Sequence, residues 1–190
     1  MRRCTLRYRE LVVLSTAIIL SIAATDARAY HPTWAPDAYA LRYFSAGGQL
    51  EGLKHAAFAA RYELSDEGER LAVPRLRIGA QVSVGTLWKG GSDGVTVALG
   101  PIVQWDVLPR AGGLYLDIGA APTYLGRTRY DGADLGGHLA FTLHAVIGWQ
   151  PASGSGPFVG IGAQHISNAN IYEHNPGANF IGAVVGWRLR

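Results

Sequence analysis

Apolar residues alternate with small or polar ones through most of the chain. In "VTVALGPIVQWDV", 95 to 107, Val95, Val97, Leu99, Val103, Trp105 and Val107 share one face, while Thr96, Ala98, Gly100, Gln104 and Asp106 share the other. "LYLDIGAAPTYL" repeats the pattern, setting Leu114, Leu116, Ile118, Ala120 and Tyr124 against Asp117, Gly119, Ala121 and Thr123. In "HLAFTLHAVIGWQ", Leu139, Phe141, Leu143, Ala145, Ile147 and Trp149 oppose His138, Thr142, His144, Gly148 and Gln150. A period of two is the signature of strands with one greasy face and one small or polar face. Beyond residue 29 no stretch sustains a helical period or eighteen consecutive apolar residues, which excludes helical membrane spans there.

Turn-rich breaks such as "SAGGQLEG", "KGGSDG", "GRTRYDGADLGG" and "NANIYEHNPGAN" separate these runs. They predict eight strands, near 37–45, 53–64, 75–88, 95–107, 113–125, 138–150, 157–167 and 179–190. Each is about ten residues or longer, the length a tilted strand needs to cross a bilayer. Two closed architectures accept such strands. A soluble barrel points its greasy face inward and carries charge outside, whereas a membrane barrel does the reverse. On strands three to eight the ionisable groups Arg75, Arg77, Asp106, Asp117, His138, His144 and Arg188 fall on the Gly-bearing face. Arg77, Asp106, Asp117 and His144 can pair inside a narrow barrel, and His138 is expected there too, hydrogen-bonded in the lumen. The fold class predicted is therefore all-β, an eight-stranded antiparallel transmembrane β-barrel. Its lumen is filled by side chains, so it is not a pore.

Aromatic residues fit that placement. With both termini on one side, Trp105, Trp149 and Trp187 come near one end of the barrel, and Trp88 and Tyr124 near the other. Two belts at headgroup level result.

Length and charge sharpen the picture. The 190 residues allow one domain, and 16% charged with 48% hydrophobic residues is a folded composition. The start reads as a leader: basic "MRRCTLRYRE", apolar "LVVLSTAIILSIAA", then "TDARA" with an Ala-x-Ala cleavage site ending at Ala29. Residues 1–29 are expected to be a cleaved signal peptide and 30–190 the barrel domain, in the outer membrane of a Gram-negative bacterium with its termini in the periplasm. The leader holds five of the 17 Lys and Arg and two of the 14 Asp and Glu, leaving 12 of each sign. A balanced mature chain gives no argument for nucleic-acid binding. Cys4, the one cysteine, lies in the leader, so no disulfide is expected.

The most polar long stretch is "QHISNANIYEHNPGAN", 164 to 179, beside the apolar "PFVGIGA". Continuing the parity of the seventh strand puts His165 and Ser167 on the greasy face at its end. Polar side chains facing hydrocarbon are costly, which makes the pair a candidate site. Two residues along a strand is about 6.6 Å, a gap an imidazole can bridge to a hydroxyl. A neutral His beside a Ser is the arrangement of a base and a nucleophile. From spacing alone the competing reading, two polar residues that have reached the headgroup zone, stays open. Elsewhere, "GGSDG" satisfies the literal Gly-x-Ser-x-Gly pattern but no helix follows, so it reads as a hairpin. The six His have no metal-ligand spacing, and neither metal nor cofactor is expected. Arg127 and Arg129 in "TRYDGAD" could touch phosphate or simply lie in a solvated loop.

"HISNA" followed closely by "NPG" resembles the outer-membrane lipid A 3-O-deacylase (PagL-type) family, in which His-x-Ser-Asn-Ala closes the seventh strand and an Asn-x-Gly segment opens the eighth. The resemblance implies a serine hydrolase on the lipid face of the barrel, acting without a metal. Its substrate would be lipid A of lipopolysaccharide in the outer leaflet, from which it removes the ester-linked 3-hydroxyacyl chain at position 3. By carry-over Ser167 is the nucleophile and His165 the general base, with Asn168 and Asn175 near the oxyanion. The family usually has a Glu two residues after the Gly of Asn-x-Gly; here Gly177 is followed by Ala178 and Asn179. Asn179 could orient the imidazole through its amide oxygen, Glu173 could reach back from the loop, or the third member could be absent and activity weakened or lost. Two other functions remain open at this point: a non-catalytic structural or adhesive barrel, and a barrel hydrolase of phospholipid.

Overall fold

The computed structural model describes residues 35–66, 76–108, 113–151 and 155–189. The expected leader, 1–29, and Arg75 lie outside them.

Eight long strands close into an antiparallel barrel: β1 (Ala38–Ala46), β2 (Lys54–Asp66), β3 (Leu76–Lys89), β4 (Ser92–Leu108), β5 (Leu114–Leu125), β8 (Leu139–Trp149), β9 (Gly156–Ser167) and β10 (Ala178–Arg188). Each pairs with its neighbour in sequence, and β1 closes the barrel against β10 from Ala38↔Arg188 to Ala46↔Phe180. A two-residue ladder, β6 (Arg129–Tyr130) with β7 (Ala133–Asp134), stands apart within the loop between β5 and β8. The loops 47–53, 90–91, 126–138 and 168–177 cluster at one end, called here the loop end. Both ends of the described chain lie at the other.

The strand limits follow the alternation closely, with one clear extension. β4 begins three residues before its expected start because Lys89 pairs with Ser92 across a two-residue Gly90-Gly91 turn. That tight hairpin is what "GGSDG" encodes. Between β4 and β5 pairing lapses after Ala98↔Thr123 and resumes in the same register at Ile102↔Gly119. Pro101, which has no N–H to donate, sits in that gap.

Burial alternates with the sequence. Outward residues include Leu99, Ile118, Ile147, Val159 and Val185, and reach 67% exposure at Ile161 and 77% at Ile181. A continuous coat of this kind needs lipid against it. Trp105, Trp149, Trp187 and Tyr39 ring its terminal end. At the loop end stand Tyr124 and the Tyr43–Trp88 pair, whose ring centroids are 6.0 Å apart.

Inside, ionisable groups find partners. Arg77 donates to both carboxylate oxygens of Asp106, at 2.7 and 2.8 Å, and Arg61 pairs with Asp117. Arg42 donates to Gln81 at 2.5 Å and stands 3.3 Å from His144 Nε2, while Arg188 bridges Glu63 and Gln104. Buried charges are costly unless paired and hydrogen-bonded; Arg61, Arg77 and Arg188 have acidic partners, while Arg42 is held by the neutral Gln81 and His144. Glycines on the inner face give the large groups room. A Cβ at Gly119 would stand 2.3 Å from the His144 ring, and one at Gly148 or Gly160 would meet Tyr115.

His138 is not in the lumen. The chain bends at Gly137 and His138 before β8 begins, which breaks the parity that would have turned the ring inward. The imidazole is exposed at the loop end, stacked on outward Tyr124 with 5.9 Å between centroids, and its Nδ1 lies 2.5 Å from the Leu125 carbonyl.

Candidate active site

The last outward rungs of β8, β9 and β10 build the site. His165 pairs with Leu143 on one side and Asn179 on the other. Ser167, two residues further along β9, pairs with Phe141. Because side chains on a strand alternate, all five share the outer face with Ile161 and Ile181. Directly opposite residues bring their Cβ atoms to roughly 5 Å, close enough for short side chains to hydrogen-bond. His165 Nδ1 and Asn179 Oδ1 are 2.7 Å apart. An amide oxygen only accepts, so the neutral ring is held in the tautomer that carries its proton on Nδ1.

Ser167 is buried although its parity is outward. The chain returning from the loop covers it: Gly177, at φ +62, is threaded over the pair. A Cβ built at Gly177 would lie 3.0 Å from His165 Cε1, 3.6 Å from Nε2 and 3.9 Å from Ser167 Cβ. The Nε2 edge of the imidazole and the serine thus both lie against Gly177. A Cβ there would be strained, since the conformation is left-handed, and would press on the imidazole.

After Ser167 the chain reverses. Ala169 and Asn170 both have positive φ, 50° and 60°, and Ile171 N–H donates to the Asn168 carbonyl at 2.9 Å. Positive φ at both central residues is the primed hairpin turn, and an alanine there is strained. Asn168 holds the turn. Fully buried, it donates both amide protons, to the carbonyls of Leu135 and His174, and its Oδ1 accepts from Asn170 N–H. Asn175 Oδ1 accepts from the backbone N–H of Asn168 at 3.1 Å, and its Nδ2 donates to Asn170 Oδ1. An amide nitrogen has two protons, so Asn175 keeps one donor beyond this network. The two asparagines therefore stand beside Ser167, with Asn168 fully engaged and Asn175 partly so.

Glu173 is elsewhere. It is exposed on the wall of a cleft of about 880 Å³ between loops 126–138 and 168–177, together with Arg127, His138 and His174. Asp134, on the same wall, has its carboxyl held below the usual range, first by the Gly136 N–H and then by Arg129. On the barrel wall, towards the terminal end from His165, lies a second hollow of about 310 Å³. It is wholly apolar, with a floor of Ala145 and Ala163 between Leu116, Ile147, Ile161 and Ile181. The site thus lies between a polar cleft above and an apolar groove below.

Residues 41–188 match the family described as lipid A 3-O-deacylase (PagL). The chain belongs to that family. Among solved structures it is similar to the one described as the crystal structure of the outer membrane enzyme PagL, with a TM-score of 0.69. That likeness covers 80% of this chain and 99% of the other at 17% identity, and it concerns the fold. Comparison with curated proteins gives no match. The PagL-family barrel is an outer-membrane protein, in keeping with the apolar coat and the two aromatic rings. Its motif residues converge here, whereas the position where the family usually has Glu is filled by Asn179.

Sequence reasoning did not reach Gly177 as the cover of the pair, nor the structural duty of Asn168. A signal for the first was available: a Gly two residues before the rung of His165 must cross the end of β9.

Proposed function

We propose that the barrel is a serine esterase that removes the 3-hydroxyacyl chain from position 3 of lipid A, with the loop end outward and the termini in the periplasm. The observation that carries this reading is the 2.7 Å contact between His165 Nδ1 and Asn179 Oδ1 on the lipid-facing wall, with Ser167 covered beside it. Asn179 is assigned as the orienting residue; Glu173 faces the outer cleft.

The chemistry follows. Ser167 Oγ attacks the ester carbonyl while His165 Nε2 takes its proton. The oxyanion develops beside the turn after Ser167, where the remaining Nδ2 proton of Asn175 is the donor at hand. Collapse expels the sugar oxygen, which receives the proton from His165, and leaves an acyl-serine. Water attacks that ester with His165 again as base, releasing the hydroxy fatty acid and restoring Ser167. The apolar groove below the site seats the departing chain, because a chain in the outer leaflet already lies along it. A neutral Asn orients the imidazole but adds no charge to stabilise the imidazolium, so the reaction runs more slowly than with a carboxylate.

The test is mass spectrometry of lipid A incubated with the protein in detergent. Loss of one 3-hydroxy fatty acid by wild type, absent in Ser167→Ala, is expected. Intact lipid A with a folded wild-type barrel favours a structural role, and consumption of phospholipid instead favours a phospholipid hydrolase; either outcome overturns the proposal.

A further inference from the structure

The cleft between loops 126–138 and 168–177 is a constructed feature rather than a gap between mobile loops. Its walls interlock. A Cβ at Gly136 would fall 1.9 Å from the His174 carbonyl oxygen, and one at Gly137 would fall 2.0 Å from the Tyr172 ring. Asn168 Nδ2 ties the two loops by donating to Leu135 on one and His174 on the other, and Tyr172 Oη lies 3.4 Å from Leu139 N as acceptor of its N–H. Asn168 directly follows Ser167, so the same side chain that fixes the turn after Ser167 fixes the cleft.

The chemistry of the walls is uneven. Arg129 is engaged by Asp134 at 2.9 Å, and Asp134 also accepts from Gly136 N–H. Arg127 has no acidic partner among the described residues, although its backbone carbonyl accepts from Tyr130 Oη at 2.8 Å. His138 is fixed through Nδ1 on the Leu125 carbonyl, which leaves Nε2 directed away from the barrel backbone. Carboxylates, imidazoles, a tyrosine and one uncommitted guanidinium together suit a saccharide that carries phosphate: hydroxyls meet the mixed donors and acceptors, and the phosphate meets the guanidinium.

We infer that this cleft binds the phosphorylated glucosamine headgroup of the substrate, with Arg127 as the phosphate anchor. The inference rests on the deacylase reading for the identity of the headgroup. The cleft lies beyond the outer aromatic ring, where the headgroup of an outer-leaflet lipid sits, while the acyl ester reaches the rung of Ser167 and His165. Two-point holding of this kind sets which ester is presented to the serine.

Binding is measured by titrating detergent-solubilised Ser167→Ala barrel with an acyl-free phosphorylated glucosamine disaccharide, its phosphate-free counterpart and inorganic phosphate. The phosphorylated disaccharide is expected to bind about tenfold or more tighter than either other ligand, as a charge-assisted bidentate contact implies. Adding Arg127→Ala should remove that preference, Arg127→Lys should restore part of it, and Lys89→Ala, on the hairpin between β3 and β4, should bind like the parent. Equal binding of the two disaccharides overturns the inference, as does an equal loss in Arg127→Ala and Lys89→Ala, which would mean a general attraction of the loop end. Because the binding parent is catalytically silenced, a wild-type barrel that leaves lipid A intact refutes the deacylase reading without altering this result.

Discussion

Replacing Asn179 by Asp tests the site at its most unusual position. The two side chains are nearly identical in shape, so the 2.7 Å contact with His165 Nδ1 can persist while its acceptor becomes an anion. A neutral hydrogen bond contributes about 0.5–1.5 kcal/mol and one to a charged group about 1.5–3. The imidazolium formed as Ser167 attacks should therefore gain about 1 kcal/mol, at the lower end because Asn179 is exposed to its surroundings. That is about a fivefold rise in kcat, at a factor of ten for each 1.36 kcal/mol. The gain should appear in kcat, with KM little changed, because the charge on the ring develops only as Ser167 attacks. Asn179→Ala loses the orientation and should lower kcat about tenfold or more, with KM little changed. The assay is release of 3-hydroxy fatty acid from lipid A in detergent, followed at one pH for all three proteins. If Asn179→Ala matches wild type, or Asn179→Asp leaves kcat where it was, the imidazole is not oriented from β10.

Other expectations concern the surroundings of the site. Gly177→Ala places a methyl 3.0 Å from His165 Cε1 at φ +62, so kcat should fall about tenfold through displaced imidazole while barrel melting moves only by the ~1–2 kcal/mol that a left-handed alanine costs; unchanged kcat would refute the cover role. Asp117→Ala leaves Arg61 buried and unpaired, which should destabilise the barrel by about 3–5 kcal/mol in urea titrations with folding detected by gel mobility. No shift there would mean that water or another lumen group compensates. Ala163→Phe fills the floor of the apolar groove and should lower kcat/KM for long-chain esters far more than for a butyrate ester, and an equal loss on both would remove the groove from substrate binding.

Much of the barrel was legible because its rules are local. Alternation in β4, β5 and β8 reports a two-faced wall whatever the partner strand, and the lumen pairing of Arg77 with Asp106 follows once those faces are known. Arg42 and Arg61, central to the lumen network, were readable by the same rule, since Arg42 stands between outward Leu41 and Tyr43. His138 shows where the rule stops: one bend before β8 reverses the side on which a ring emerges, and parity carries no information about bends. The fit of Gly136 and Gly137 against His174 and Tyr172 joins residues more than thirty positions apart, and neither loop has a periodicity that announces the other. Position in the motif marked Asn179, but the acceptor atom facing Nδ1 is a property of the register between β9 and β10.

That register also links chemistry to assembly. β10 is held on one side by β9 and on the other by β1, and the carbonyl of Asn179 itself accepts from Gly47 N–H at 3.2 Å, across the seam where the barrel closes. His165 and Ser167 sit on one strand, but the residue that sets the imidazole is clamped from both sides only after the first and last strands have met. Under the proposed mechanism, competence is thereby tied to closure of the barrel: without β1 the rung that carries Asn179 would be held from one side only.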